Sequence, residues 1–389
     1  MDIKESHRNI ILLLLHAAIV LGISYAIASF FILSTKSLAF FSVFDESDDV
    51  PMSDMFLYIN SRKGPVKLDT SITIVSIDGC RDRFEIARMI EKLDSLHPKA
   101  IGLDSYLRNL KEPDVDIMLE NVIRNCKQLV IACILDDEHS EDKDIYYTCN
   151  RDYFVRQDNE HLTEGFINLD SDGFSPVRTF TPQLFWKKEN SLDTLYCFAA
   201  QIVRLFDETA FQKLLQRSGN LEIIHYQPLR FYEIEKDEID DNQELITGKI
   251  VLIGSLSEDF HRTPVASQIN GIKIHAHIIS TILEEKYIDR LDNIWTTMLN
   301  YLLCYLFTLF CWFATSRLQM GGSFFIKVAQ VAILLFAFFA GYFLFNRYNI
   351  DITYTRSIIV MGVVVILVDV YYMGVVWGNK YIQKHKKTG

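Results

Sequence analysis

The sequence lacks the short signatures that carry most enzyme chemistry. It has no GxxxxGK(S/T) loop to cradle phosphates, no GxGxxG turn following a strand, no HExxH pair and no GxSxG nucleophile elbow. No catalytic residue and no cofactor is therefore expected. Cysteine is sparse and poorly placed for metal. Cys80, Cys126, Cys133, Cys149 and Cys197 lie in a polar block, Cys304 and Cys311 lie in an apolar run, and none has zinc-ligand spacing. The odd number in the block leaves open whether Cys126 pairs with Cys133 or Cys149, and a block this large needs no disulfide to fold. Internal repeats and long linkers are also missing, so the block reads as one domain.

What is present divides into two populations that the average composition, 49% hydrophobic and 23% charged, conceals. Asn9 to Leu33 is almost continuously apolar and long enough to cross a hydrocarbon core. Ile294 to Ala314, Phe324 to Phe345 and Ser357 to Trp377 are three more such runs. Four of them predict transmembrane helices at 9–33, 294–314, 324–345 and 357–377 rather than buried helices of a soluble fold. Lys4 and Arg8 precede the first, Arg317 and Lys327 flank the turn between the second and third, and Lys380, Lys384, Lys386 and Lys387 follow the fourth. With four spans these groups share one side, which the positive-inside rule makes cytoplasmic. Segments 1–8 and 378–389 are then cytoplasmic and 34–293 is extracytoplasmic; Arg347 and Arg356 are a mild exception. Lys4, Arg8 and Ala26-Ile-Ala28 also fit a cleaved signal peptide, but apolar residues continue through Leu33, which favours an anchor.

Within the block, Ile72 to Ile77 predicts a strand. A helix from Phe84 to Leu96 follows, with Ile86, Met89, Ile90 and Leu93 at helical spacing before His97-Pro98. Ala100 to Leu103 is a second strand, Val115 to Cys126 a second helix and Leu129 to Leu135 a third strand, a parallel βαβ order. Asp136 to Asp144 reads as a solvated loop. Phe166 to Leu169 and Val177 to Phe180 flank Asp170-Ser-Asp-Gly173 and predict a hairpin. Leu192 to Phe206 predicts a helix, Leu221 to His225 a short strand and Glu233 to Glu244 an acidic connector. Lys249 to Ile253 then reads as a strand buried on both faces, and Ile274, Ile278 and Ile282 mark one face of a closing helix. The fold class expected is an α/β extracytoplasmic domain, largely a parallel sheet with flanking helices, plus four transmembrane α-helices.

Three stretches carry a resemblance. GKIVLIG at 248–254, Thr263-Pro264 and Gly271-Ile-Lys-Ile-His275-Ala276 are similar to the closing signature of the type-2 CHASE family. ITIVSID at 72–78 and AIGLD at 100–104 resemble its opening, and GFINLDSDGFSPVR at 165–178 its middle. The order matches, over roughly residues 40 to 378, membrane helices included. The resemblance implies a bacterial extracytoplasmic sensory domain in the inner (cytoplasmic) membrane, of the kind associated with cyclases and histidine kinases. Two departures bear on that. Cys80-Arg-Asp-Arg-Phe84 stands where the family often has a Trp-Pro-Arg-like segment. The sequence also ends shortly after its last span, so a signal is expected to pass to a separate protein.

Ligands of parallel sheets bind beyond the carboxyl ends of the strands. Asp78, Asp104, Gly254 and Ser255 fall at such ends and are candidate ligand-binding residues, lining a crevice for a cation or a small polar ligand. The alternative is that Asp78 and Asp104 cap helices or bond to neighbouring loops. His275 and His277 are two apart on a helix and do not share a face, so no metal site is expected there, and a histidine capping the closing helix is the reading. Asp369 is the notable polar residue inside a span, because a carboxylate isolated in lipid is costly. It would face Tyr305 or Cys304, meet a partner protein, or lie near the cytoplasmic interface. A sensor module is expected to have the membrane, a separate signalling or membrane protein, an unknown small ligand and a further copy of the chain as partners, with no nucleic acid. A scaffolding subunit with no ligand of its own is the alternative.

Overall fold

The structure is a computed structural model and describes residues 3–36, 52–105, 107, 111–136, 145–148, 163–169, 176–188, 191–217, 221–291, 294–317, 323–352 and 354–386. The acidic stretch 137–144, the turn at 170–173 and Cys149 lie outside the described residues. The chain forms two compact units, 57–288 and 1–56 with 289–389.

Helix α1 (Ile3–Lys36) belongs to the second unit, and α2 (Met52–Arg62) leads into β1 (Lys67–Ser76). Helix α3 (Arg83–Ser95) starts where Asp82 accepts from the Glu85 N–H, an ordinary N-cap. It ends before His97, whose positive φ of 54° turns the chain toward Pro98. Strand β2 (Ala100–Leu103), α4 (Pro113–Asn125), β3 (Leu129–Cys133), β4 (Leu135–Asp136), β5 (Ile145–Thr148) and β6 (Thr163–Phe166) follow. Next come β7 (Thr179–Phe180), β8 (Gln183–Lys188), β9 (Ser191–Tyr196), α5 (Phe198–Phe206), α6 (Glu208–Leu215), β10 (Glu222–Ile223) and β11 (Leu229–Ile234). Two 3₁₀ turns, Lys236–Glu238 and Asp240–Leu245, precede β12 (Ile250–Gly254), β13 (Phe260–His261), β14 (Ile269–Asn270) and α7 (Gly271–Leu283).

Six strands make one parallel sheet in the order β11-β1-β12-β2-β3-β6. Every residue of β2, β3 and β12 is buried, as strands covered on both faces must be. Helices α3 and α4 cover one face through Ile86, Ile90, Leu93, Leu119 and Ile123, packed on Val75, Ile101, Leu103, Ile131, Val251 and Ile253. Helices α5 and α7 pack on the sheet and on each other, with Phe198, Ile202, Ile274, Ile278 and Ile282 buried. Arg83 and Asp116 tie α3 to α4 by an ion pair of 2.6 Å whose side chains are 6% and 2% exposed.

Three expectations are corrected. The hairpin between 166–169 and 177–180 does not form: β6 joins the parallel sheet and β7 pairs with β10. The helix expected from Leu192 begins at Phe198, because Ser191–Tyr196 is a strand that pairs with β8 in a second sheet, β4-β5-β8-β9. The acidic connector expected from Glu233 begins later, because Glu233 and Ile234 end the edge strand β11.

The second unit holds α1 with β15 (Asp289–Leu291), α8 (Ile294–Arg317), α9 (Ser323–Tyr348), β16 (Ile350–Ile352) and α10 (Thr355–Lys386). Four helices, Ile10–Phe30, Ile294–Arg317, Ile326–Tyr348 and Thr355–Gln383, are long and apolar enough to cross a membrane. The bundle core comes from α1, α8 and α10: Val20, Ala28, Cys304, Phe307, Cys311, Trp312, Val360, Val364 and Val368. Helices α8 and α10 run parallel, each led in by one strand of the parallel pair β15–β16. Arg290 lies 3.5 Å from the buried Asp351 across that pair.

Candidate functional site

The carboxyl ends of β1, β12 and β2 form one edge, and the structure brings all four candidate residues to it. Register pairs Ser76 with Gly254 and Ile253 with Leu103, so β12 separates Asp78 from Asp104. Two strand spacings put their backbones about 10 Å apart, and the two carboxylates do different work.

Asp78 organises a turn. Its Oδ2 accepts from the N–H groups of Leu256 and Ser257, both at 2.9 Å. Ser255 Oγ accepts from Ser257 at 3.3 Å and Glu258 at 2.9 Å. Burial pushes the Asp78 carboxyl up, but hydrogen bonds from Ser255, Leu256 and Ser257 outweigh it and hold the group below its ordinary value. Gly254 is required by packing: a Cβ there would stand 2.9 Å from Ile272 on α7. Asp78, Gly254 and Ser255 thus shape the loop that leads to α7.

Asp104 directly follows β2 and donates its N–H to the Ile253 carbonyl at 2.8 Å. Burial, and then the charge of Asp259, push its carboxyl up to about 7, with His261 opposing. Asp259 and His261 were missed in the sequence because they lie in a loop without periodicity. Asp259 has φ of 55°, and its Oδ1 lies 2.9 Å from His261 Nε2. That hydrogen bond lowers the Asp259 carboxyl and raises the His261 imidazole. Gly271, the first residue of α7, donates to the Asp259 carbonyl at 2.9 Å. Asn270 caps nothing; its amide instead donates to Leu256 and Glu258 carbonyls at 2.8 and 3.0 Å, closing the loop.

His275 does not cap the closing helix as expected. It is 4% exposed in the second turn of α7, against Phe198, with no partner for Nδ1. Burial lowers it to about 4, opposed by the charge of Asp259. His277 lies between Tyr226 and Phe231 and is likewise lowered to about 4 by burial. Among the described residues no group of His, Cys, Asp and Glu side chains is placed to hold a metal ion. Cys80, Cys126 and Cys197 are free thiols. A cleft of about 530 Å³ runs along α3 beside Phe84, Arg88 and Lys236 and shares no residue with the strand edge.

In the bundle, Asp369 meets neither Tyr305 nor Cys304. Its Oδ2 lies 2.7 Å from Lys327 Nζ on α9.

Comparison with curated proteins and with solved structures gives no match. A family model described as the CHASE2 domain matches residues 27–316, from within α1 through α8. The parallel sheet, its closing α7 and the helices that flank it in sequence are therefore those of a sensory domain, and the chain belongs to the CHASE2 family.

Proposed function

We propose that this chain is a membrane-anchored extracytoplasmic sensor that passes a signal to a separate protein through its membrane helices. The observation that carries this reading is the position of α7. Its N-terminus begins under the Asp259–His261 pair, beside Asp104. Its C-terminus continues through 284–288 into β15, which is paired with β16 at the head of the bundle. A small polar ligand engaging Asp104, Asp259 and His261 would re-bias the start of α7, and the chain that leaves α7 enters the bundle without a further domain between.

The bridge from α7 to β15 contains a defined turn although it has no Gly or Pro. Glu285 takes φ of 53°, Glu285 N–H donates to Ile282 at 3.2 Å, and Lys286 N–H donates to Thr281 at 3.1 Å. These two bonds form a Schellman stop with a non-glycine residue at its turn. Two exposed ion pairs, Lys213–Glu285 at 2.5 Å and Lys286–Glu284 at 2.6 Å, lie at this stop.

The test inserts a Gly-Ser segment after Lys286 in the full chain. Proteins recovered with wild type and variant in mild detergent are then compared, and the partner's activity is read. Loss of the partner's response with an unchanged outer unit supports the sensor. A partner that binds and acts alike with both chains moves the reading to a scaffolding subunit. The orientation is tested by labelling a cysteine introduced at Lys384: reaction is expected only after the membrane is opened.

A further inference from the structure

Near the α8–α9 turn, three helices each bring two residues to one junction: Cys311 and Thr315 from α8, Lys327 and Gln330 from α9, Val365 and Asp369 from α10. Lys327 Nζ donates to Asp369 Oδ2 at 2.7 Å and to the Val365 carbonyl at 2.5 Å. Thr315 Oγ1 approaches Asp369 Oδ1 only to 3.5 Å, the limit of a hydrogen bond. Gln330 is 0% exposed and meets the Cys311 thiol, a weak hydrogen-bonding group, while neither its Oε1 nor its Nε2 has a nitrogen or oxygen partner.

The donor and acceptor inventory does not close on protein atoms. An ammonium has three N–H groups and Lys327 spends two; a carboxylate oxygen accepts more than the single long contact at Asp369 Oδ1; the Gln330 amide offers two donors and an acceptor and meets only the weakly bonding Cys311 thiol. The Lys327 and Asp369 side chains stay 32% and 39% exposed, whereas Gln330 is closed off; burying its amide in a membrane-spanning bundle without full partners is costly, and neighbouring helices or ordered water normally satisfy such a group. The unmet groups come from facing helices at one level, which is the setting in which a buried water finds several partners.

We propose that this three-helix junction is a binding site for ordered water, which joins the Gln330 amide to the Lys327–Asp369 pair. The ligand class follows from the surroundings. The Lys327 ammonium repels a metal cation, the Asp369 carboxylate repels an anion, and a lipid chain offers nothing to an amide. Toward the other end of the bundle the core is closed by Phe307 and Val364, and the Thr308 hydroxyl is spent on the Cys304 carbonyl at 2.7 Å. Water therefore enters from the α8–α9 end. The inference rests on the bundle alone and stands or falls independently of the sensor reading.

Cys311 reports on the junction. The full chain in lipid vesicles is moved into heavy water while the infrared S–H band of Cys311, identified by its loss in Cys311→Ala, is followed. Cys197, buried in the outer unit, supplies a dry reference thiol. The Cys311 band is expected to exchange within minutes while that of Cys197 persists for hours, and Gln330→Leu is expected to slow Cys311 to the Cys197 rate. Exchange of Cys311 as slow as Cys197 in the wild type overturns the proposal, as does fast exchange that survives Gln330→Leu. Should Gln330→Leu fail to fold, the wild-type comparison of the two thiols decides.

Discussion

The Asp259 carboxylate lies against the Cα of Gly271: a methyl group at Gly271 would stand 2.1 Å from Oδ2 and 3.2 Å from Cγ. Gly271→Ala is therefore expected to expel the Asp259 side chain and break its bond to His261. The overpacking cost is about 1–3 kcal/mol. His261 should titrate closer to its ordinary value in the variant, measured by NMR of the imidazole protons. An unshifted His261 in a folded Gly271→Ala chain would show that the pair does not depend on this contact.

Acidification should weaken the outer unit. His225, His275 and His277 are each lowered from 6.5 to about 4, chiefly by burial. Between those values the unfolded chain binds more protons at these sites than the folded one, so stability is full above pH 6.5 and falls toward pH 4. Asp104 acts in the opposite sense: raised from 3.8 to about 7, it favours the folded state at low pH and disfavours it as pH rises through 7. Three histidines outweigh one carboxyl. Each group contributes up to about 1.4 kcal/mol per pH unit within its window. Pulse proteolysis of the full chain across denaturant and pH measures this, and Asp104→Asn should steepen the acid loss. A stability that is flat from pH 6.5 to 4 contradicts the assignment of buried neutral histidines.

Arg83 and Asp116 sit almost without solvent between α3 and α4, and Asp116 Oδ2 also accepts from Lys111 N–H at 2.6 Å. Removing the cation alone leaves a buried carboxylate, so Arg83→Ala should cost about 3–5 kcal/mol. Replacing both partners, Arg83→Met with Asp116→Leu, should recover much of that loss. A double variant no more stable than Arg83→Ala would assign the cost to packing of the arginine stem.

Ile278 is 2% exposed on α7. Truncation to Ala should cost about 2–5 kcal/mol, read as a lower denaturant midpoint. Glu285→Gly should act oppositely, relieving the left-handed turn by up to about 1 kcal/mol, less what the exposed Lys213 pair contributes. A destabilised Glu285→Gly chain would mean that the ion pair outweighs the backbone strain.

The sheet was legible where burial is complete. Ile72 to Ser76, Ala100 to Leu103 and Ile250 to Gly254 are unbroken apolar or β-branched runs between turn residues, and α3 and α4 show their periods clearly. Leu192, Leu195 and Ala199 share a helical spacing, yet 192 and 195 belong to a strand, because short apolar runs do not distinguish the two periods until a pairing partner is known. Leu229 to Ile234 buries Phe231 and Ile234 and exposes its charged Arg230 and Glu233, a pattern without the alternation of a strand, which disguised an edge strand. At the strand ends, the sequence singled out Asp78, Asp104, Gly254 and Ser255 and left open whether the aspartates bond to neighbouring loops. An aspartate that holds a turn and one that does not look alike until the neighbouring N–H groups are placed, and Asp78 is the one that holds a turn. Lys327 was read as a topogenic flank, and only the helix packing reveals it as the counter-ion of Asp369.

The β15–β16 ladder has a mechanical meaning. It is parallel, three residues long, and each strand runs directly into one of two parallel helices. Sliding α8 past α10 by even one residue would break the ladder's register and part Arg290 from Asp351. Shear between those helices is therefore resisted at their heads, while a pull on both together is not. On the proposed sensor reading, a tug arriving along the chain from α7 would be received as a common stroke of α8 and α10 against the antiparallel α1, a piston of two rods with a single crosshead.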